Sequence, residues 1–459
     1  MSKRLLTVCA LLAGCATVPD YQRPEAPVPK VWPEQKVGAG DTAATTNGDW
    51  RKLFSDAYLQ SLITAALEHN RDMRISVGRV AEARKLAGLA SAERMPSVDL
   101  NAQRAAARTP GDLTPSGRAV ESRRFDLNLG ITAFELDFWD RLANLDAVAR
   151  ANYLASDEAA RAFRSGLIAD VANGWLRQLE LAERQMLAET TVASRDQSRR
   201  LVAKRRDVGF AGDLDVLQAE GAYQNARAEF AALAQQKAAA DNALRLLVGT
   251  NIPVDPSGPM SLQRVRLLEP APGMASEVLL ARPDVLAAEQ RLIAANANIG
   301  AARAAFFPRI VLTASAGLAS QSLGGLFDAG SGAWTFAPAL RLSLFDFGRI
   351  SDNLDLARLR KNLAVSEYEK TIQQAFREVA DLLASREYLA EQLAALTANV
   401  TAQSERLRLV DARDRAGVSN HLELLDAQRE QAAAQQSALA VRRQQLTTTA
   451  TLYKALGMF

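Results

Sequence analysis

The sequence predicts an α+β fold in which long helices and four short β-strands are built twice along the chain. Apolar residues recur with the 3.6-residue period of helices over unusually long stretches, whereas four shorter segments alternate with a period of two. The second half of the chain repeats this order of elements. Hydrophobic residues make up 48% of the chain and aromatic residues only 6%, which is typical of coiled coils rather than of large aromatic cores.

Residues 1–14 have the pattern of a secretory signal peptide. Lys3 and Arg4 form a basic start, and an apolar run then leads to small residues directly before Cys15. Small residues fit the signal peptidase site, and the Cys15 thiol is the nucleophile that takes up a diacylglycerol group, so we expect lipidation at Cys15. The apolar run is shorter than the roughly 20 residues that span a bilayer. Ala16, in place of an aspartate, favours the outer membrane.

Charge, histidine and cysteine content argue against several classes of protein. The formal net charge is only +3, and basic residues alternate with acidic ones as on solvated helix faces, so no nucleic-acid partner is expected. The two cysteines, Cys9 and Cys15, leave no thiol for a disulfide in the mature chain. Because His69 and His421 are the only histidines and no phosphate loop or zinc spacing occurs, we expect no enzyme activity, cofactor or metal.

Five segments are predicted along the chain. They are a signal peptide at 1–14, an acylated proline-rich tether at 15–54, a first repeat at 55–249, a linker at 250–282 and a second repeat at 283–459. Prolines favour extended backbone, which suits a tether. Helical periodicity covers residues 54–94, 141–206, 214–248, 283–305, 350–415 and 422–456. At the rise of a helix, the stretch at 141–206 would be roughly 100 Å long.

The repeat is clearest in the last helix of each half. The segment from Gly209 to Gly249 aligns without a gap on the segment from Gly417 to Gly457. Leucines at 382, 389, 393 and 396 keep an apolar seam on one face of a long helix, as coiled coils require. We therefore predict an internal duplication whose helices pack lengthwise.

The four segments with a period of two are predicted to be strands. They cover about 96–109, 124–136, 308–320 and 333–345. Proline at 96 and 308 marks where a helix ends and a strand begins. In the second segment, apolar and polar residues alternate strictly, which predicts one apolar face carrying Phe125, Leu127, Leu129, Ile131 and Ala133. In the fourth segment the same face is predicted to carry Phe336, Leu340, Leu342 and Leu344.

Strands with one apolar face, together with the lipidation signal, favour a membrane barrel over a soluble sandwich. Four strands cannot close, and an open sheet edge in lipid leaves unpaired backbone groups, each costing several kcal/mol. Two copies would give eight strands, whose interior side chains nearly fill, whereas three copies give twelve strands and room for water. The prediction is therefore a trimeric twelve-stranded outer-membrane barrel, continued by a long periplasmic coiled coil.

Several motifs resemble the TolC-like outer-membrane factor family, in its NodT branch of efflux lipoproteins, over nearly the whole chain. The motifs are Pro19-Asp20-Tyr21, Asp49-Trp50, Arg282-Pro283-Asp284-Val285, Phe307-Pro308, Phe345-Asp346-Phe347-Gly348 and Leu425-Asp426-Ala427-Gln428-Arg429. The resemblance implies a homotrimer that conducts small toxic compounds passively, with residues 250–282 in an equatorial collar. It also implies two partners, a periplasmic adaptor and an inner-membrane pump, for which the RND type is expected. The arginine-proline-aspartate motif is interpreted as a helix start.

The resemblance further implies a gate at the periplasmic end, where the helices turn. It assigns the gate to Leu422 and Asp426, with Arg413 as an ionic partner, and Asp215 and Arg205 occupy the corresponding places in the first half. The alternative is that Asp426 only begins a helix and Leu422 only packs in the seam.

Two other functions stay open from the sequence. One is a duct for type I protein secretion, and the other is a non-conducting periplasmic coiled-coil scaffold lipoprotein. The exported substrate is not encoded in these patterns, because a passive duct leaves selection to the pump.

Overall fold

The computed structural model describes residues 18–32, 49–252, 261–268, 276–416, 418 and 421–458. The predicted signal peptide and Cys15 lie outside the described residues. The helices are α1 Trp50–Leu53, α2 Ala57–His69, α3 Arg71–Ala92, α4 Arg141–Asp207, α5 Asp213–Val248, α6 Pro283–Ala304, α7 Arg349–Arg415 and α8 His421–Ala455. The strands are β1 Asp99–Thr109, β2 Val120–Leu136, β3 Arg309–Ser320 and β4 Gly332–Arg341.

The long helices follow the predicted bounds closely, whereas the first predicted stretch, 54–94, is divided into shorter helices. Side chains that cap helix starts explain the divisions. Asp56 accepts a hydrogen bond from the Leu59 amide at 2.7 Å, and Asn70 accepts one from the Met73 amide at 2.8 Å. Such caps satisfy the free amides of a first turn and so begin a new helix. The Asn70 side chain also donates to the Leu247 carbonyl at 2.9 Å.

The four strands form one antiparallel sheet in the order β1-β2-β3-β4. Because directly opposed residues share a face, the register assigns a face to each side chain. One face carries Leu100, Ala102, Phe125, Leu127, Leu129, Ile131, Phe134, Ile310, Leu312, Leu318, Trp334, Phe336 and Leu340. The other carries Asn101, Gln103, Asp126, Asn128, Glu135, Arg309, Thr313, Ser315, Thr335 and Arg341. The predicted separation into an apolar and a polar face is therefore present, except toward the β1–β2 loop, where Arg104, Arg108, Glu121 and Arg123 lie on the otherwise apolar face.

A β-bulge in β2 corrects one predicted assignment. The register with β3 shifts between Ile131 and Phe134, and Ala133 has a left-handed φ of 56°. A bulge adds one residue to a strand and exchanges the faces beyond it. Ala133, predicted on the apolar face, thus lies in the bulge, and Phe134 takes the apolar position. Without the bulge, the carboxylate of Glu135 would lie on the apolar face.

The first and fourth strands are shorter than predicted. β1 begins at Asp99 rather than near residue 96, and β4 ends at Arg341 rather than near 345. Leu342 and Leu344, predicted as residues of β4, therefore lie after the strand. The cause is a turn that leads into α7, in which Phe347 and Gly348 have left-handed φ angles of 58° and 87°. The Asp346 side chain accepts a hydrogen bond from the Ile350 amide at 2.9 Å, which fixes the start of α7.

The chain divides into two compact units, each of which takes segments from both sequence repeats. The first comprises Met1–Glu25, Arg79–Asp157 and Ala287–Glu369, and its described part contains the sheet. The second comprises Ala26–Gly78, Glu158–Leu286 and Lys370–Phe459. Its core contains Trp50, Phe54, Leu62, Ile63, Trp175, Leu176, Leu244, Leu446 and Tyr453. Among the residues that the structure describes, no helix combines the length and apolar character needed to cross a membrane.

Candidate functional site

The turn between α4 and α5 holds two of the predicted gate residues. Gly209 has a left-handed φ of 82°, and the Phe210 amide donates to the Arg205 carbonyl at 2.8 Å. The Asp215 carboxylate accepts a hydrogen bond from the Gly212 amide at 2.9 Å. Asp215 therefore caps the start of α5, and Arg205 contributes its carbonyl to the turn, rather than the two forming an ion pair with each other.

The turn between α7 and α8 holds the other three. Leu422 is 54% exposed. One Asp426 oxygen lies 2.7 Å from Nη2 of Arg406 on α7, and the other lies 2.6 Å from Nη2 of Arg429. Nη1 of Arg413 lies 3.6 Å from the carboxylate of Glu423. Within the chain, the ionic partner of Asp426 across the turn is thus Arg406, not the predicted Arg413.

Asp426 lies in the second turn of α8, because this helix begins at His421. Asp426 therefore does not occupy the first turn of a helix, and the interpretation that it only begins a helix is wrong. The hydrogen bond from Arg406, assisted by the charges of Arg429 and Arg406, holds the pKa of the Asp426 carboxyl below its usual range. Asp426 is consequently a stable anion at neutral pH that connects α8 to α7.

Residues of this turn on α8 line a groove of about 1070 Å³ between α5 and α8. Leu422, Asp426 and Arg429 lie on its α8 side, and Gln218 and Asn225 lie on α5. Arg195 of α4 forms part of its floor and donates from Nη2 to the Leu425 carbonyl at 3.0 Å. Burial, and then the charge of Arg429, lower the pKa of the Arg195 guanidinium. In the single chain, the predicted gate residues of α8 therefore line a groove on the surface.

Sequence reasoning missed Arg406, although one signal could have found it. In an antiparallel helical hairpin, residues at similar distances on either side of the turn face each other. Arg413 and Glu423 are each five residues from Val418. Asp426 is eight residues from Val418, so the rule indicates only that its partner lies farther back on α7 than Arg413, and the structure shows that this partner is Arg406. Arg406 is one heptad before Arg413 and so lies on the same helix face.

Residues 19–23 of the predicted tether are docked in the first unit. Glu289 of α6 accepts hydrogen bonds from Nε and Nη2 of Arg23, both at 2.6 Å, and from the Tyr21 hydroxyl at 3.0 Å. The Asn296 side chain donates to the Pro19 carbonyl at 2.8 Å. Burial, and then the charge of Glu289, raise the pKa of the Tyr21 hydroxyl. These contacts fix the path of residues 19–23, close behind the predicted lipidation site in sequence.

The arginine-proline-aspartate motif starts a helix, as predicted, and its Arg282 also makes contacts with two other helices. Helix α6 begins at Pro283, and the Arg282 side chain is only 7% exposed. Its guanidinium donates to both Asp284 oxygens at 3.0 and 2.7 Å, to Glu378 of α7 at 2.9 Å and to the Ala455 carbonyl at the end of α8 at 2.6 Å. Arg282 thereby connects three helices in the second unit.

Comparison with a protein family supports the same interpretation of the chain. The family model described as outer membrane efflux protein matches residues 62–250 and 274–458. Among curated proteins, the chain is 39% identical to the probable efflux pump outer membrane protein TtgC of Pseudomonas putida, over 100% of this chain and 96% of that protein. It is 41% identical to the outer membrane protein OprJ of Pseudomonas aeruginosa, over 98% of this chain and 94% of that protein.

Solved structures show the same fold. A membrane protein from Pseudomonas aeruginosa superposes with a TM-score of 0.89 at 40% identity, covering 96% of this chain and 100% of the other. The open state of the MtrE outer membrane channel of Neisseria gonorrhoeae gives a TM-score of 0.88 at 35% identity, covering 96% of this chain and 98% of the other.

Proposed function

Since the chain belongs to the outer membrane efflux protein family, it is an outer-membrane efflux channel, and we propose that it works as a lipid-anchored exit duct with a gate at its periplasmic end. The family is one of efflux ducts rather than enzymes. The predicted fold, a trimeric barrel continued by a helical duct, is that of the family. The finer proposals concern the gate, the lipid anchor, the partners and the cargo.

The sheet carries the channel function. Its apolar face suits lipid and its polar face suits a water-filled lumen. Among the described residues, β1 and β4 each have one edge without a partner strand in the chain. Three copies close this sheet into twelve strands, so that every edge finds a partner and no backbone group faces lipid unpaired.

For partners, we propose a periplasmic adaptor and an inner-membrane pump of the RND type. A duct made of strands and helices has no energy source of its own, so the pump must supply the energy and select the cargo. Curated relatives are named as toluene, solvent and antibiotic efflux proteins. Small toxic compounds of that kind are the cargo that we propose for this chain.

The gate is proposed at Leu422 and Asp426. The exposed Leu422 side chain offers an apolar constriction, and Asp426 holds α8 to α7 through Arg406. Removing the ion pair should let α8 move away from α7, and removing the leucine should widen the narrowest point. Arg413, Asp215 and Arg205 are proposed to stabilise the two turns that carry this constriction.

Single-channel conductance in planar bilayers tests the gate. We expect Leu422→Ser, Asp426→Ala and Arg406→Met to raise conductance above that of the wild-type trimer. Asp411→Ala is the matched control, because Asp411 pairs with Arg415 within α7 at 2.7 Å and forms no ion pair with the side chains of α8 that the structure describes. Leu217→Ser, at an exposed leucine of α5, controls for loss of surface apolarity. Wild-type conductance in all three test variants would refute the gate.

The lipid anchor is proposed at Cys15, which would place the protein at the inner leaflet of the outer membrane. The docked path of residues 19–23 supports an anchor at a defined position. The intact mass of the purified protein should show cleavage before Cys15 and acyl groups on it, and a mass without acylation would refute the anchor. Because the strands fix the barrel, Cys15→Ala should still fractionate with the outer membrane.

A further inference from the structure

A cavity of about 370 Å³ lies in the first unit, where the strands pass into helices. Six of its lining residues carry the argument: Glu135, Trp139, Arg141, Arg309, Arg341 and Arg349. We name this cavity the arginine pocket. It is formed by the end of β2, the start of β3, the end of β4 and the first turns of α4 and α7.

The buried carboxylate of the pocket, Glu135, is already paired with two arginines. Glu135 accepts hydrogen bonds from Nε and Nη2 of Arg141, both at 2.7 Å, and its Oε2 lies 2.5 Å from Nε of Arg309. Two guanidinium groups therefore share a single negative charge. The other carboxylate of the lining, Asp137, accepts a hydrogen bond from the Ala143 amide at 2.8 Å and caps α4.

Two more arginines of the pocket have no counter-charge. The side chains of Arg341 and Arg349 make no hydrogen bond or ion pair with any residue that the structure describes. Arg341 lies directly opposite Arg309 across the β3–β4 ladder, and like charges in that position repel. With four arginines facing two carboxylates, each copy has a surplus of two positive charges in this pocket.

The pocket opens to the lumen side of the sheet. Glu135, Arg309 and Arg341 all lie on the polar face, which faces the water-filled duct once three copies close the barrel. Trp139 forms a rigid wall, because its ring stacks on Phe307 at 4.7 Å and its Nε1 donates to the Pro308 carbonyl at 2.9 Å. A cluster of unpaired guanidinium groups beside a fixed wall is an arrangement suited to an anion.

We propose that the arginine pocket binds the phosphate or carboxylate group of anionic compounds in transit through the duct. The inference rests on the proposed function, because it needs the polar face to line an open lumen. Arg341 and Arg349 are the binding residues, since Arg141 and Arg309 are committed to Glu135. Three copies would form a ring of such sites where the lumen enters the barrel.

Binding of inorganic phosphate tests the proposal without relying on conduction. Isothermal titration of the detergent-solubilised full-length trimer with phosphate should give binding that is at least about tenfold weaker in the variant Arg341→Gln/Arg349→Gln, a loss that corresponds to about 1.4 kcal/mol. The matched control is Arg84→Gln/Arg360→Gln, which removes two exposed arginines of α3 and α7 outside the pocket. The control should bind phosphate as the wild type does.

Equal phosphate affinity in the pocket variant and the control would overturn the proposal, as would a wild-type trimer that does not bind phosphate. If the glutamine variant fails to form trimers, the variant Arg341→Lys/Arg349→Lys replaces it, because lysine keeps the charge but lacks the planar guanidinium group. We expect this variant to bind phosphate several-fold more weakly than the wild type. An unchanged phosphate affinity in the lysine variant would also overturn the proposal. Conductance of the same samples in planar bilayers is measured separately. A trimer that conducts but does not bind phosphate refutes only the pocket, whereas a trimer that never conducts refutes the duct.

Discussion

The substitution Arg282→Met should destabilise the protein more than any loss of a surface arginine. It removes the guanidinium that connects the start of α6 to Glu378 of α7 and to the Ala455 carbonyl of α8. Removing one partner of a buried ion pair costs about 3–5 kcal/mol. Asp284 and Glu378 are 40% and 32% exposed, so water compensates them in part. The expected loss is therefore about 2–4 kcal/mol, much of it from the carbonyl left without a donor.

The assay is thermal dissociation of the purified trimer in detergent, followed by electrophoresis and by circular dichroism. Arg291→Met is the matched control, because it makes the same change at an exposed arginine of the same helix. A surface substitution of this kind stays within about 0.5 kcal/mol. If Arg282→Met and Arg291→Met lower the transition temperature equally, the connection of three helices through Arg282 does not stabilise the fold.

The effect of Arg282 should also depend on pH. Burial acts to raise the pKa of Asp284, but the hydrogen bonds and charge of Arg282 outweigh it and hold that pKa below its ordinary value. A carboxyl whose pKa is lowered on folding stabilises the protein above its unfolded pKa of about 4, and this contribution is lost as the pH falls through the folded pKa. The difference between wild type and Arg282→Met should thus be full at neutral pH and shrink below about pH 4. A difference independent of pH would contradict the ion pair with Asp284.

Two further predictions concern the sheet and the turns. Arg at Leu129, on the apolar face, should cost roughly 2–4 kcal/mol near the bilayer midplane and impair trimer assembly, whereas Arg at the neighbouring Asn128 should be tolerated; equal yields of trimer on native gels would show that the faces are reversed. Gly249→Ala should destabilise the folded protein more than Gly209→Ala, although both glycines have left-handed φ angles. A Cβ atom at Gly249 would lie 2.6 Å from the His69 carbonyl oxygen, whereas a Cβ atom at Gly209 would meet open space. The Gly209 change should cost only the roughly 1–2 kcal/mol of left-handed backbone, and equal melting shifts would refute the close approach.

Much of this fold could be predicted because its patterns are local. A helix of 67 residues shows its period many times over, so the bounds of α4 and α7 follow from the sequence within one residue. The faces of the sheet follow from alternation wherever the alternation is unbroken. The bulge at Ala133 was not predictable from the period alone, although Glu135 gave a signal: strict alternation would have placed its carboxylate on the lipid face.

The contacts that could not be predicted join residues far apart in sequence. The pairs of Arg23 with Glu289 and of Arg282 with Glu378 depend on how helices pack, and no local pattern records that. For the proposed gate, the sequence suggested Arg413 as the ionic partner of Asp426, whereas within the chain Asp426 pairs with Arg406 and Arg413 with Glu423. The family resemblance indicated the turn between α7 and α8, and only the structure of this hairpin identified Arg406 as the partner of Asp426.

The two helical hairpins have a similar order of ion pairs behind their turns, although the paired residues do not occupy aligned positions of the two repeats. Near each turn lies a long pair, Arg206 with Asp213 at 3.9 Å in the first half and Arg413 with Glu423 at 3.6 Å in the second. About two helical turns farther back along α4 and α7 lies a short pair, Arg199 with Glu220 at 3.2 Å and Arg406 with Asp426 at 2.7 Å. All four pairs are accessible to solvent, so each contributes little to the stability of its hairpin. If the gate that we propose opens when a partner pulls on the tips, we expect the longer Arg413–Glu423 pair to part before the shorter Arg406–Asp426 pair.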